Sequence, residues 1–358
     1  MADAELAKAL KDLPNRVLNV PIEERPELFQ NVIAVLPNPG INATIVRGIC
    51  KVIGTTLTKY KDPESQTLVK ELLVAVLKQH PDLTYEHFNA VLKALLTKDL
   101  AGAPPIKAAQ ASALALGWAN LIAQHADHET AVGKKEFPKL LENQAGLYQL
   151  SLTSGIQKIS DKAYSFLRDF FASEEGLAQR YFDKLLALEP SSGVIVMLCT
   201  IVRYLQQEQG SVELLDQHKA KLLDHLVKGL ITVKTKPHAS DIVACSVLLK
   251  AITKDELRTI VVPALQRSML RSAEVILRAV GAIMNEIELD VSDYALDLGK
   301  PLVQNLASKE ETVRQEAVES LKQVALKCGA PSAIETLLKE VFAVLNGSGG
   351  KITVAELR

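Results

Sequence analysis

No stretch of this chain alternates apolar and polar residues over the length a half-buried strand needs, which excludes a sheet as the organising element. Aromatic side chains are scarce, 4% of 358 residues, so a core must be filled by Leu, Val, Ile and Ala. That favours helix packing over a β-sandwich. The four cysteines, Cys50, Cys199, Cys245 and Cys328, lie far apart among apolar neighbours. No pair has metal-ligand spacing, so they read as buried reduced thiols. Neither sign of charge prevails, with 41 Lys and Arg against 42 Asp and Glu. No global field therefore draws the chain to DNA, to RNA or to an anionic membrane. Apolar runs of membrane-spanning length are missing. The opening Met1-Ala-Asp-Ala-Glu5 is acidic where a secretory or transit segment would be basic. The expectation is a cytoplasmic protein with no membrane segment.

Catalytic motifs are missing too. There is no Gly-x-Ser-x-Gly elbow, and no cysteine has a histidine close in sequence to activate it. The acid pairs Glu23-Glu24 and Glu310-Glu311 stand at helix starts, where the helix dipole accounts for them. His125-Ala-Asp-His128-Glu129 is the best metal-like grouping, but the order His-Glu-x-x-His is absent and the segment falls at a helix end in a polar loop. Gly347-Ser-Gly-Gly-Lys351 has the lysine of a phosphate loop. Leu345 occupies the place of the required glycine, however, and Ile352 follows the lysine. No catalytic, cofactor-binding or metal-ligating residue is expected, and no enzyme.

What the sequence does contain is a repeated helical pair. Its clearest copy runs from Ser308 to Gly329. Ser308 and Glu311 read as a capping box, and Val313, Ala317, Leu321, Val324 and Cys328 recur on one helix face. Lys327, Gly329 and Pro331 end that helix. Ala295, Leu298, Leu302 and Leu306 trace the preceding helix, which contains Pro301. An equivalent proline, Pro263, lies 38 residues earlier, close to the ~40-residue period of HEAT and armadillo repeats. Elsewhere Asp62-Pro63 predicts a capped helix start, Thr84 another with Leu83 and Phe88 as a staple, and His80-Pro81 a stop. Helices are predicted at about 136–153, 156–173, 175–189 and 191–207, then in pairs at 212–233 with 239–252 and 255–270 with 272–287. Residues 126–135 read as a loop and a soft division. The fold class is all-α: one right-handed α-solenoid of HEAT/armadillo-like hairpins over residues 1–358. Lys351 to Arg358 reads as the opening of a further helix with no polar cap, so an N-terminal fragment of a longer protein is expected.

One local charge feature stands out between Gln217 and Arg278. In a stack, equivalent turns line up along one edge, so Lys219, Lys221, Lys234, Lys236, Arg267 and Arg271 form a candidate ridge for RNA phosphate or an acidic protein surface. A solvated helix face is the plain alternative.

The segments Leu185-Ala-Leu-Glu-Pro190, Gln217-His-Lys-Ala-Lys-Leu-Leu-Asp224 and Ser268-Met-Leu-Arg-Ser272 carry a resemblance. Leu289-Asp-Val-Ser-Asp-Tyr-Ala295 and Gly347-Ser-Gly-Gly-Lys-Ile-Thr-Val354 complete it. In this order and spacing they resemble the N-terminal region of the general control non-derepressible protein one family. That family is a giant HEAT-repeat ribosome sensor that activates the amino-acid-starvation kinase of initiation factor 2 alpha. The resemblance implies a non-catalytic scaffold for translational control, whose partner is the ribosome, through stalk proteins or ribosomal RNA. It places the kinase and an ABC-type partner on other parts of the full-length protein, and it carries over no catalytic residue and no cofactor. The alternative is another HEAT-type adaptor, such as a transport receptor or phosphatase scaffold.

Overall fold

The computed structural model describes residues 10, 13–59 and 62–347, and every regular element among them is helical. The chain divides into two compact units, Met1–Leu177 and Ala178–Arg358. In the first unit the helices are α1 (Leu13–Asn19), α2 (Arg25–Val35), α3 (Ala43–Lys59), α4 (Pro63–Gln79), α5 (Pro81–Ala94), α6 (Pro105–His125), α7 (Ala131–Leu152) and α8 (Gln157–Phe171). The second holds α9 (Leu177–Leu186), α10 (Ser192–Gln209), α11 (Glu213–Leu226), α12 (Ala239–Ala244), α13 (Ser246–Lys250), α14 (Val262–Glu286), α15 (Ala295–Asn305), α16 (Glu311–Leu326) and α17 (Pro331–Gly347).

Local chemistry sets many of these boundaries. Pro63, Pro81, Pro105 and Pro331 each occupy a first helical position, where a missing N–H leaves nothing unpaired. Side chains of Asp62, Thr130 and Ser191 accept the amide protons of Ser65, Gly133 and Val194. Thr253 and Glu256 form a reciprocal capping box. Gly210 closes α10 in the left-handed region, with φ at 65°.

Each unit is built in two layers. In the first, α2, α4, α6 and α8 pack in succession on one side, and α1, α3, α5 and α7 on the other. In the second, α10 packs on α12, α12 on α14 and α14 on α16, while α15 packs on α17. This is the stacked-hairpin order of HEAT-type repeats. Helix α10 is buried almost all round, from Val194 through Val202 and again at Leu205. Each such Val, Leu or Ile contributes about 1.5–3 kcal/mol when removed from water. All four cysteines are buried and free, and burial pushes the Cys50 thiol up to about 11.

Polar side chains repeat the period in three dimensions. Arg25 donates to Asp62 and Ser65, 37 and 40 residues on. The Asn120 amide donates to Phe166 O at 3.0 Å, 46 residues on. The Ser268 hydroxyl donates to Ile231 O at 2.8 Å, 37 residues back. The Ser320 hydroxyl reaches Leu277 O 43 back, and Lys327 reaches Ile287 O 40 back. Asp290 and Ser292 tie the turn after α14 to the end of α16, accepting from Gly329 N and Ala330 N at 3.0 and 2.9 Å. The Gly329 amide bond and the Ser292 bonds hold the Asp290 carboxyl down at about 2.

The structure also departs from the expected boundaries. Helix α16 starts at Glu311 with no side-chain cap. Ser308 accepts only from Glu310 N, and Arg314 satisfies the Ser308 and Lys309 carbonyls instead. Thr84 lies inside α5, where its hydroxyl turns back to His80 O at 2.6 Å, and His80 takes the cap position. Helix α7 begins at Ala131, earlier than residue 136, because Thr130 caps it and Gly133 tucks under the turn at Asp127 and His128. Cys245 interrupts the helix expected over 239–252. The expected break at 270–272 is present as a kink inside α14, where Ser272 leaves helical geometry at φ −162° and ψ 87°. Residues 348–358, which include most of the Gly347–Lys351 segment, lie outside the described residues.

Gly229 lies in the π turn Val227–Ile231 that extends α11, and a Cβ there would sit 2.8 Å from Ser191 O. Backbone meets backbone, so neither side can yield cheaply. Gly229→Ala should lower unfolding free energy by about 1–3 kcal/mol. Gly48→Ala, whose Cβ meets nothing within 4 Å on exposed α3, should be neutral or stabilising by up to about 1 kcal/mol. Urea unfolding of both variants checks the pair.

Candidate partner-binding face

Of the histidine grouping, His125, Asp127 and Glu129 are exposed and His128 turns inward. His128 Nε2 lies 2.8 Å from Ala123 O and therefore donates, leaving Nδ1 to accept from Tyr85 OH at 3.2 Å. The ring stacks on Phe137 with centroids 4.0 Å apart. Burial holds its pKa below the ordinary histidine value, against the Ala123 hydrogen bond and the charges of Asp127 and Glu129. A neutral ring with both nitrogens engaged has no lone pair for a metal. Among the described residues, no three His, Cys, Asp or Glu side chains gather in a way that could hold one.

The six basic residues of the candidate ridge separate into distinct roles. Lys219, on α11, is mostly buried, with its Nζ 2.8 Å from Glu256 Oε2. Burial would raise the Glu256 pKa, but hydrogen bonds from Lys219 and Thr253 outweigh it and hold the carboxyl below its usual range. This ion pair joins α11 to the capping box of the next repeat. Lys221, on the same helix, is exposed. Lys236, in the loop before α12, engages Glu316 of α16 at 2.6 Å, 80 residues away.

Lys234 and Arg271 meet beside the kink in α14. Arg271 donates to Thr232 O at 2.8 Å and to Val233 O at 3.3 Å, pinning the loop that carries Lys234. Lys234 and Arg271 line one cleft of about 260 Å³, with Ser268 and Ser272 between them. Arg267 stands one turn earlier on α14, exposed, with its Nε donating to Pro263 O at 3.2 Å. Leu270 projects from the same turn with 83% of its surface exposed. It falls off the buried stripe of Leu265, Ser268 and Met269 just before the Ser272 kink, an apolar side chain left in water next to Arg271. The structure thus brings Lys234 and Arg271 to one cleft, leaves Arg267 one helical turn before Arg271, and draws Lys219 and Lys236 into intramolecular pairs.

Residues 219–352 match the family described as stalled ribosome sensor GCN1 N-terminal. Over 355 residues, 99% of the chain, the sequence is 29% identical to the Stalled ribosome sensor GCN1 of Homo sapiens and to that of Mus musculus. The chain spans 13% of the length of those GCN1 relatives. It is also 24% identical over 325 residues, 89% of its length, to Protein ILITYHIA of Arabidopsis thaliana, of which it spans 11%. The GCN1 N-terminal match includes all six basic residues, the kink in α14 and the turn staple at Asp290. No described helix is long and apolar enough to cross a membrane.

The roles of the two kinds of lysine are separable by stability. Lys219→Ala removes a charge-assisted hydrogen bond in a mostly buried setting and should cost about 1–3 kcal/mol. Lys234→Ala should change stability by less than about 0.5 kcal/mol. Equal effects in chemical denaturation would show that Lys219 is as free as Lys234.

Proposed function

We propose that the chain is a non-catalytic, ribosome-associating arm of a translational-control scaffold, and that the turn bearing Lys234, Arg267 and Arg271 is its contact. The reading is supported above all by the similarity along 99% of the chain to proteins named stalled ribosome sensor. The cationic turn adds a physical reason. An exposed leucine stands next to Arg271 in sequence, and Arg271 is already held by loop carbonyls, so little of its side-chain freedom is lost on binding. Both ribosomal RNA phosphate and an acidic stalk protein surface suit such a turn. On this reading the protein is cytoplasmic. Activation of the amino-acid-starvation kinase of initiation factor 2 alpha, and contact with an ABC-type partner, fall to other parts of a full-length protein.

Ribosome co-sedimentation of the chain tests the contact. Lys234→Glu combined with Arg267→Glu, neither of which breaks an ion pair of the structure, should weaken pelleting at least about tenfold and flatten its salt dependence. Lys221→Glu should change it little. Full pelleting of the double variant at every salt concentration removes this turn from the interface.

A further inference from the structure

A second surface of the same unit has the opposite chemistry. Helix α12, the part of α14 after its kink, and α16 together bound a groove of about 510 Å³. Small side chains create it. A Cβ on Gly281 would lie 2.8 Å from the Ser320 hydroxyl, so α14 and α16 approach closely beneath the groove. Ala239 and Ala282 leave its floor open, and Val243 of α12 presents an apolar surface that is 55% exposed. The rim is acidic. Glu286, Glu316 and Glu319 line the groove against the single cation Arg278. Glu319 accepts from Gln323 Nε2 at 2.8 Å and Glu286 from Asn285 Nδ2 at 3.1 Å, but the ion pair of Glu319 with Lys322, at 3.6 Å, is exposed and contributes little.

Lys236 shows what this groove accepts. From the loop before α12 it puts its ammonium on the carboxylate of Glu316. A lysine of the chain itself thus already occupies one rim carboxylate, at a site where both partners remain partly open to water. Carboxylates on the rim repel phosphate, which excludes nucleic acid from this face. Asn285, Gln315 and Gln323 line the same space; each amide nitrogen already donates to Glu286, Glu311 or Glu319, which leaves its second N–H and its oxygen to pair with an extended backbone.

We propose that this groove receives a basic, extended polypeptide segment of a partner protein. A lysine or arginine of that segment exchanges with Lys236 at Glu316, lays its aliphatic stem on Val243, and places a second cation between Glu286 and Glu319. The groove is separate from the cationic turn and does not depend on that turn touching the ribosome.

Fluorescence anisotropy with a labelled short peptide of alternating lysine and alanine, titrated with the intact chain at low salt, tests it. The chain should bind the peptide. Glu286→Gln with Glu319→Gln should weaken binding about tenfold. Lys236→Ala, which frees Glu316, should tighten it about threefold, an effect that loss of folding cannot mimic. Glu71→Gln with Glu142→Gln, the same change of net charge on exposed helix faces of the first unit, should leave it unchanged. The proposal fails if the chain does not bind the peptide, if the two glutamine pairs weaken binding equally, if Lys236→Ala does not tighten it, or if labelled oligouridine competes at Glu286 and Glu319. No ribosome enters the measurement, so its outcome is independent of the pelleting experiment.

Discussion

The structure depends on buried side-chain donors that reach the backbone carbonyl of the equivalent helix one repeat away. Ser268 to Ile231, Ser320 to Leu277 and Asn120 to Phe166 are such bonds, and each spans between 37 and 46 residues of sequence. Leu, Val and Ile supply most of the burial energy, but apolar contact is indifferent to small slides of one helix along another. A hydroxyl or amide buried without its acceptor costs about 1–3 kcal/mol, so these bonds choose one register out of many similar ones. Close glycine approaches reinforce the choice. Gly229 against Ser191 and Gly281 against Ser320 admit no other side chain without displacement of backbone or of the Ser320 hydroxyl.

Fixing the helices in this way gives each class of turn its own face. In the second unit, the turns between first-layer and second-layer helices carry Lys234 and, at the α14 kink, Leu270 and Arg271. The faces of α12, α14 and α16 carry carboxylates around a small-residue floor. Two surfaces of opposite sign therefore sit on one set of repeats, while the net charge of the whole chain is only −1. Near-neutrality conceals this separation, because the total says nothing of how charge is sorted by helical register. Both surfaces pair exposed apolar side chains with charge, which suits contact with macromolecules.

Much of the fold was legible in the sequence because its signals are local. Asp62-Pro63, His80-Pro81 and Ser191 mark helix ends through their own side chains and φ restrictions, and the structure places ends there. The 270–272 break and the Pro263–Pro301 period were readable for the same reason. What failed was chemistry with two local solutions. Ser308 and Thr84 both fit a cap pattern, yet a long-reaching Arg314 satisfies the carbonyls at one site and Thr84 turns back into the helix at the other. His128 reads as part of a solvated polar loop, and nothing local shows that Ala123 and Tyr85 take its two nitrogens and turn the ring inward. For the cationic turn, six residues were legible as basic, but the pairing of Lys219 with Glu256 and of Lys236 with Glu316 depends on tertiary proximity across repeats. The acidic groove was not legible at all, since its carboxylates come from helices whose lateral spacing is set by Gly281 and Ser320.

Register is held repeat by repeat through these donor-to-carbonyl bonds. Native-state hydrogen exchange of the wild-type chain and of Ser320→Ala tests this. Protection should fall in α16 and in α14 after Ser272, while α10 and α11 keep theirs, because each repeat contacts only its neighbours. Unchanged protection around Leu277, or an equal loss throughout the second unit, would contradict it.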